Sequence, residues 1–337
     1  MEERDWARVV TSATRAPSIH NTQPWRFVAG PDRLDVFFDP ERALPVVDPT
    51  GRQQVISCGV AVEFAVIALA AEGATSAVDV LPDDAADHLA SVRVTGSLQA
   101  TDRDLELAEA IERRHTVRTP FAARAVPPEL LDRLQAVASA FDTWFKPISA
   151  SDEEVTTSAL VARAEEIEQS DPAYLAELES WLRTDPAAVD GVLVESVPAG
   201  DPHERASNWL VRDFVVGRRP QHSMFLAEGE PDAPPPEVER PTVVLMGTEN
   251  DDRYAWVQAG RALGRVLLVA TAEGLAASPL TQALDWPATR TQLRAQLDLL
   301  GHAQMLLRMG YPADAATGVV SGRRPVAEVF AFRPAGG

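Results

Sequence analysis

Three arginines, a histidine and a hydroxyl fall within the six residues Arg113-Arg114-His115-Thr116-Val117-Arg118, in a chain whose formal net charge is -19. Forked guanidinium groups beside a small hydroxyl suit a phosphate ligand, because each fork can donate two parallel hydrogen bonds to an oxyanion. Two further basic pairs, Arg218-Arg219 and Arg323-Arg324, stand out against the same acidic background. A second segment, Pro17-Ser18-Ile19-His20-Asn21-Thr22-Gln23-Pro24-Trp25, packs small polar groups and an amide into a proline-locked turn. His20 and His115 read as packing or hydrogen-bonding residues rather than proton donors. Nothing marks His203 or His222 as metal ligands, so no metal site is expected.

The elements around these segments follow from periodicity and caps. Residues 4–15 read as a helix entering the Pro17–Trp25 turn, and Arg33–Asp39 as a strand. Gln53–Glu72 reads as a long helix ended by Gly73 at the C-cap. Two β-prone runs, Ala77–Leu81 and Ala90–Thr95, follow it. Leu105–Arg114 is helical, Pro127-Pro128 opens a helix through Ala140, and Trp144–Ile148 is a short strand. Asp152–Arg183 carries helical periodicity throughout. Between 190 and 240 regularity fails around Pro234-Pro235-Pro236. A stretch of that length is a lid or a disordered linker, and Trp209, Phe214, Met224 and Phe225, which give it something to bury, favour the lid. Order returns with a strand at Thr242–Gly247, a long helix at Asp252–Glu273 and a helix at Gln292–Leu299. Strands at Gln304–Met309 and Val326–Phe332 end the pattern. The two long helices both finish in Glu-Gly, at Glu72-Gly73 and Glu273-Gly274.

With 337 residues, 45% of them hydrophobic, the chain can bury two cores of ordinary size. The net charge argues against nucleic acid and anionic membranes as partners, since both are polyanions. Cys58, the single cysteine, lies in an apolar run and reads as an inert buried thiol, so neither a disulfide nor a thiolate metal site is expected. The opening MEERDWARVV lacks the apolar stretch of a secretory signal. Val55–Ala71 is interrupted by Glu63, which favours a buried helix over a membrane span. A cytoplasmic location is expected.

Both functional segments resemble motifs by which the nitroreductase-like flavoproteins hold FMN. Pro17–Trp25 resembles that family's Pro-Ser-x-x-Asn-x-Gln-Pro-Trp turn, and Arg114-His115-Thr116 its Arg-His-Ser triplet, with Arg118 at the basic position two residues on. The Val126-Pro127-Pro128-Glu129-Leu130-Leu131 run, the Gly310-Tyr311-Pro312 turn, and Gly322-Arg323-Arg324-Pro325 match further family segments. So does Gly274-Leu275-Ala276-Ala277-Ser278-Pro279. The family places the arginine triplet before the Pro-Ser turn; here the order is reversed. That reversal resembles the Acg-type subgroup and implies an α+β nitroreductase-like fold made of two degenerate halves fused in one chain. Residues 1–100 would form the first half and residues 101–337 the second, with 190–240 as the lid.

The resemblance implies one FMN per chain, because a second site would lack both motifs. Arg114, His115, Thr116 and Arg323 would meet the phosphate and ribityl group, with Arg118 beside them and Arg324 the less defined neighbour. Thr281 and Gln282 would lie near the isoalloxazine, and Pro17, Ser18, Ile19 and Asn21 would reach the ring edge from the other half. The implied activity is hydride transfer at flavin N5 from NAD(P)H to a nitroaromatic, quinone or related small-molecule acceptor, in a monomer that is an intrachain pseudo-dimer. Two alternatives share the fold: a flavin-storing protein whose lid excludes nicotinamide, and a biosynthetic flavin dehydrogenase.

Overall fold

The computed structural model describes residues 1–196, 241–313 and 320–334. The chain opens with α1 (Glu3–Thr14), where the Asp5 carboxylate accepts from Glu2 N at 3.1 Å. After the Pro17–Trp25 turn come β1 (Trp25–Ala29), β2 (Arg33–Phe38), and α2 (Arg52–Ala71). The hairpin β3 (Ala74–Val80) and β4 (His88–Ser97) follows. α3 (Asp102–Arg113) starts in a reciprocal cap: Asp104 N donates to Thr101 Oγ1 at 3.2 Å and Thr101 N donates to Asp104 Oδ2 at 2.9 Å. Next are α4 (Pro128–Ser139) and β5 (Thr143–Ile148).

The helical periodicity of 152–183 resolves into two helices, α5 (Ser151–Ser170) and α6 (Pro172–Ser180), followed by the short strand β6 (Leu182–Arg183). Pro172 lacks an N–H and pushes Asp171 out of helical geometry. Asp171 then caps the new helix, accepting from Ala173 N at 2.9 Å and Tyr174 N at 3.3 Å. The rest comprises β7 (Val192–Leu193), β8 (Thr242–Thr248), α7 (Arg253–Ala272), β9 (Ala276–Pro279), α8 (Gln282–Asp285), α9 (Pro287–Gln296) and β10 (His302–Gly310). The expected strand at 326–332 is instead a helical turn, α10 (Val326–Val329), and a shorter strand, β11 (Phe330–Phe332).

Two principal sheets result. One has the order β11-β1-β2-β4-β3, antiparallel except for the parallel β1–β11 pair that sets Phe27 against Phe330. The other, β5-β8-β10-β9, is antiparallel throughout. Strand β1 was hidden in the sequence because it begins at the last residue of the Pro17–Trp25 motif. β11 carries the end of the chain back to the first sheet.

The helices α2 and α7 pack on each other between the sheets. Helix α2 is long and apolar enough to cross a bilayer, yet nearly all of its residues are buried inside the fold. It is apolar on every side because it is surrounded by protein on every side. Glu63 interrupts that apolar run and is fully buried, but it is paired with Arg261 at 3.2 Å and Arg265 across the helix interface.

The crossing requires glycine on both helices. A Cβ on Gly59 would stand 2.4 Å from Val257 O, and one on Gly260 would stand 2.1 Å from Ile56 O. The contacts are reciprocal, and the same sequence spacing separates Ile56 from Val257, Gly59 from Gly260, and Gly73 from Gly274. Gly73 and Gly274 end their helices with φ of 77° and 81°, the left-handed conformation that closes a helix C-terminus.

Candidate functional site

At this crossing the fold encloses a cleft of about 1440 Å³, counted out to its open mouth. Ile56 and Val60 of α2, Leu263 and Leu267 of α7, and Met305 and Leu307 of β10 form its apolar part. The Pro17 turn and the arginine segment, about ninety residues apart in the sequence, supply polar walls.

The turn is strained. His20, Asn21 and Gln23 have φ of 46°, 52° and 51°, a region that costs energy for residues with a side chain and recurs at functional sites. Its conformation is fixed by specific bonds. Ser18 Oγ accepts from Gln23 N at 2.9 Å, and Ile19 N donates to Ser57 Oγ of α2 at 3.2 Å. The Gln23 side chain is fully buried and joins three segments. Its Nε2 donates to Val189 O at 2.7 Å, while its Oε1 accepts from Arg324 N at 2.8 Å.

The arginine segment follows the end of α3. Thr116 forms a bridge with Ala277 of β9, and Val117 N donates to Ala277 O at 3.2 Å. The C-terminal segment delivers Arg323, whose Nη1 donates to Asn21 Oδ1 at 3.2 Å. Arg114 Nη2 and Arg323 Nη2 both point to Arg15 O, at 3.5 and 3.2 Å. Neither guanidinium has a carboxylate partner among the described residues, and the Nε of each is buried without a hydrogen-bond partner. Burial, followed by the charges of Arg323 and Arg15, pushes the Arg114 pKa down to about 9. Burial and Arg15 push Arg323 down to about 10.

The structure thus gathers Pro17, Ser18, Ile19, Asn21, Arg114, His115, Thr116, Arg118, Thr281 and Arg323 around one cavity. Two of the expected residues stand apart from its lining. Arg324 turns to Asp39, 3.4 Å from its Nη1, and to Glu328. Gln282 is fully buried, with both side-chain amide atoms unpartnered. His115 Nδ1 lies 3.0 Å from Arg113 O, and Arg118 Nη1 donates to Ser196 Oγ at 3.1 Å. Sequence reasoning missed Arg15, Gln53, Ser57 and Glu112, which also line the cavity. Of these, only Arg15 carried a local signal, standing two residues before the turn. Residues 197–240, most of the expected lid, lie outside the described residues; Val192, just before them, lines the cavity.

Cys58 is buried, its Sγ directed at Pro24 O, and burial drives its pKa upward, as expected for an inert thiol. Among the described residues no cluster of three or more metal-ligating side chains occurs.

The sequence model of the Nitroreductase family matches residues 111–311, and the chain belongs to that family. Its relatives include the Mycobacterium tuberculosis protein named "Putative NAD(P)H nitroreductase Rv3131", 36% identical over 95% of this chain and 89% of the relative. Another, from the same organism, is named "Putative NAD(P)H nitroreductase acg"; it is 30% identical over 96% of this chain and 94% of its own length. Among solved structures, the FMN-dependent nitroreductase NfnB of Mycobacterium smegmatis, in complex with NADPH, is 20% identical with a TM-score of 0.40. The match covers 69% of this chain and all of that one. A nitroreductase from Bacteroides fragilis with bound FMN is 17% identical with a TM-score of 0.37, covering 63% of this chain and 90% of that one.

Proposed function

We propose that the cavity holds one FMN per chain and that the protein uses it to pass hydride from NAD(P)H to a small-molecule acceptor such as a nitroaromatic or a quinone. The observation that carries this reading is the pair of half-buried guanidiniums, Arg114 and Arg323, which have no carboxylate partner among the described residues. Partly desolvated charge without a partner is costly, so two such cations at one cavity end suit an anion. A phosphate dianion would satisfy both forks.

The remaining residues fit the rest of the cofactor. Ser18 Oγ accepts from Gln23 N and keeps its own hydrogen to donate. Thr116, Ser278 and Thr281 add hydroxyls to the lining, and Val60, Leu263 and Leu267 offer an apolar bed for a flat ring system. Bound FMN would supply hydride chemistry at N5, which no side chain in the cavity can provide. The chain's own part is to neutralise the phosphate, orient the ring through the strained turn, and keep water from its apolar face. The names of the mycobacterial relatives support a nicotinamide donor.

The same reading makes the chain a fused pair. The reciprocal Gly59–Gly260 crossing, the shared spacing and the two separate sheets support descent of residues 1–100 and 101–337 from one duplicated unit. The Pro17 turn comes from one half and the arginines from the other, so a monomer suffices for a complete site.

The test is an anaerobic absorbance spectrum of the purified protein before and after NADPH. Flavin bands at one FMN per chain that bleach within seconds are expected. A colourless protein that takes up no added FMN would overturn the cofactor assignment, and bound flavin reduced by dithionite but not by NADPH or NADH would overturn the oxidoreductase assignment.

A further inference from the structure

Arg15 stands just ahead of the Pro17–Trp25 turn, where the half-buried Arg114 and Arg323 converge. Its carbonyl oxygen accepts from both Arg114 and Arg323, and the residue lines the same cavity. Its charge contributes to the lowered pKa of each neighbour, so the three cations lie within electrostatic reach of one another. Arg324, the neighbour that would complete a three-cation phosphate site, is engaged by Asp39 and Glu328 instead.

The Arg15 side chain is paired at 2.6 Å with Glu112, which also lines the cavity. That pair is open to solvent, with side chains 37% and 53% exposed. Exposed ion pairs contribute little, because water screens them and two long side chains must be ordered to form them. A fork on a dianion beside two half-buried guanidiniums is the stronger contact. A dianion arriving there would also place like charge next to the Glu112 carboxylate. Both effects favour release of Arg15 from Glu112.

We propose that Arg15 is a third ligand of the cofactor phosphate, held by Glu112 in the ligand-free chain and exchanged onto the phosphate when FMN binds. This inference rests on the FMN reading above. In the exchange no proton moves; Arg15 changes partner from carboxylate to phosphate, and Glu112 turns to water.

The experiment titrates FMN and riboflavin separately into apo-protein, following quenching of flavin fluorescence, for the unaltered chain, Arg15→Ala, Arg15→Lys and Glu112→Gln. Arg15→Ala keeps the backbone carbonyl that steadies Arg114 and Arg323. It is expected to weaken FMN about tenfold or more, the loss of one charge-assisted contact. Riboflavin, which has no phosphate, should stay within about twofold for the same reason. Arg15→Lys should recover part of the FMN affinity, and Glu112→Gln should tighten FMN. Far-UV circular dichroism of each apo-variant establishes that it is folded, and the milder Arg15→Lys and Glu112→Gln substitutions carry the test should Arg15→Ala not fold. The inference is overturned by unchanged FMN affinity in Arg15→Ala, by equal weakening of FMN and riboflavin, or by weaker FMN binding in Glu112→Gln. If the unaltered chain binds FMN and only these variants fail to respond, the FMN reading survives and the exchange does not. If the unaltered chain binds no FMN, both fall.

Discussion

Replacing Arg114 by Met should make the ligand-free protein more stable while removing its affinity for phosphate-bearing ligands. The Arg114 guanidinium is half-buried beside Arg323 and Arg15, and desolvation followed by their charges lowers its pKa well below the ordinary guanidinium value, to about 9. Taken at face value the shift corresponds to roughly 4–5 kcal/mol of penalty on the charged form. Relaxation and water entry reduce such figures, and substituting buried ionic groups by apolar ones typically gains about 1–4 kcal/mol. The sign follows from linkage. Below about pH 9 the folded and unfolded chains both carry the proton, so the penalty is fully present at neutral pH. Between about 9 and the ordinary guanidinium pKa the unfolded chain binds a proton that the folded chain gives up, and the penalty fades as pH rises. Little is lost with the side chain, since its bond to Arg15 O is 3.5 Å long. Thermal unfolding of both apo-proteins at pH 7 should therefore show the variant melting a few degrees higher, at the roughly 2–4 °C per kcal/mol typical of domains of 150–250 residues. With FMN at about 1,000 times its Kd the order should invert, because the ligand then adds about 4.1 kcal/mol to the unaltered chain and far less to the weakly binding variant. An apo-variant that melts several degrees lower, with helix content intact, would refute the reasoning and make Arg114 a structural residue.

Gly260→Ala would set a methyl 2.1 Å from Ile56 O and 2.8 Å from Gly59 Cα, both rigid backbone. A loss of at least about 1–3 kcal/mol in denaturant unfolding is expected, and an unshifted midpoint would mean the helices are less tightly apposed. Burial raises the Asp48 carboxyl pKa from 3.8 to about 6, so its contribution to stability is greatest below about pH 4 and declines as pH rises to 6. Asp48→Asn keeps an acceptor for Gln54 N and should raise stability at pH 7 by up to about 3 kcal/mol; urea midpoints at pH 4 and pH 7 that move equally for both proteins would count against it. Gln23→Glu retains the acceptor for Arg324 N but loses the donor to Val189 O. Amide exchange at Val189–Val192 should quicken in that variant, and unchanged protection would show that Gln23 does not hold the segment.

What was legible in the sequence and what was not divides along the range of the interactions. Helices α1, α2 and α7 declared themselves through local periodicity and the Glu-Gly ends, and their bounds were read to within a residue or two. The break at Asp171-Pro172 was also local, but the continuing apolar spacing masked it. Strand β11 and its pairing with β1 required knowledge of where the chain end returns, which no local pattern carries. The cavity follows the same rule. Ser18, Arg114 and Arg323 sit in motifs, and all three line the cavity. Arg323 and Arg324 are adjacent and chemically identical, and only Asp39, far away in sequence, decides that Arg324 faces elsewhere. Gln53 and Ser57 reach the site because α2 runs beneath the Pro17 turn, a tertiary fact without a motif.

The position of the cavity ties binding to folding more closely than a surface site would. Its apolar part is made by α2 and α7, and the glycines that let those helices touch lie among the lining residues: Gly59 between Ser57 and Val60, Gly260 three residues before Leu263. Above that crossing, Arg15 O gathers Arg114 from the end of α3 and Arg323 from the last segment of the chain. Like charges are thus brought together at the seam where these three segments meet, and their repulsion opposes closure. The apolar packing below must outweigh that repulsion for the empty chain to fold, and an anion at the seam removes it. A site of this kind is a stability–function compromise: the charges that would grip a phosphate are the ones that weaken the chain without it. The fully buried Glu63, shared by Arg261 and Arg265 on the same two helices, shows the opposite arrangement, with cations neutralised inside the protein and none left for a ligand. The contrast between these two clusters, one neutralised within the protein and one without a carboxylate on Arg114 or Arg323 among the described residues, is how a structural ion pair differs from a candidate anion site.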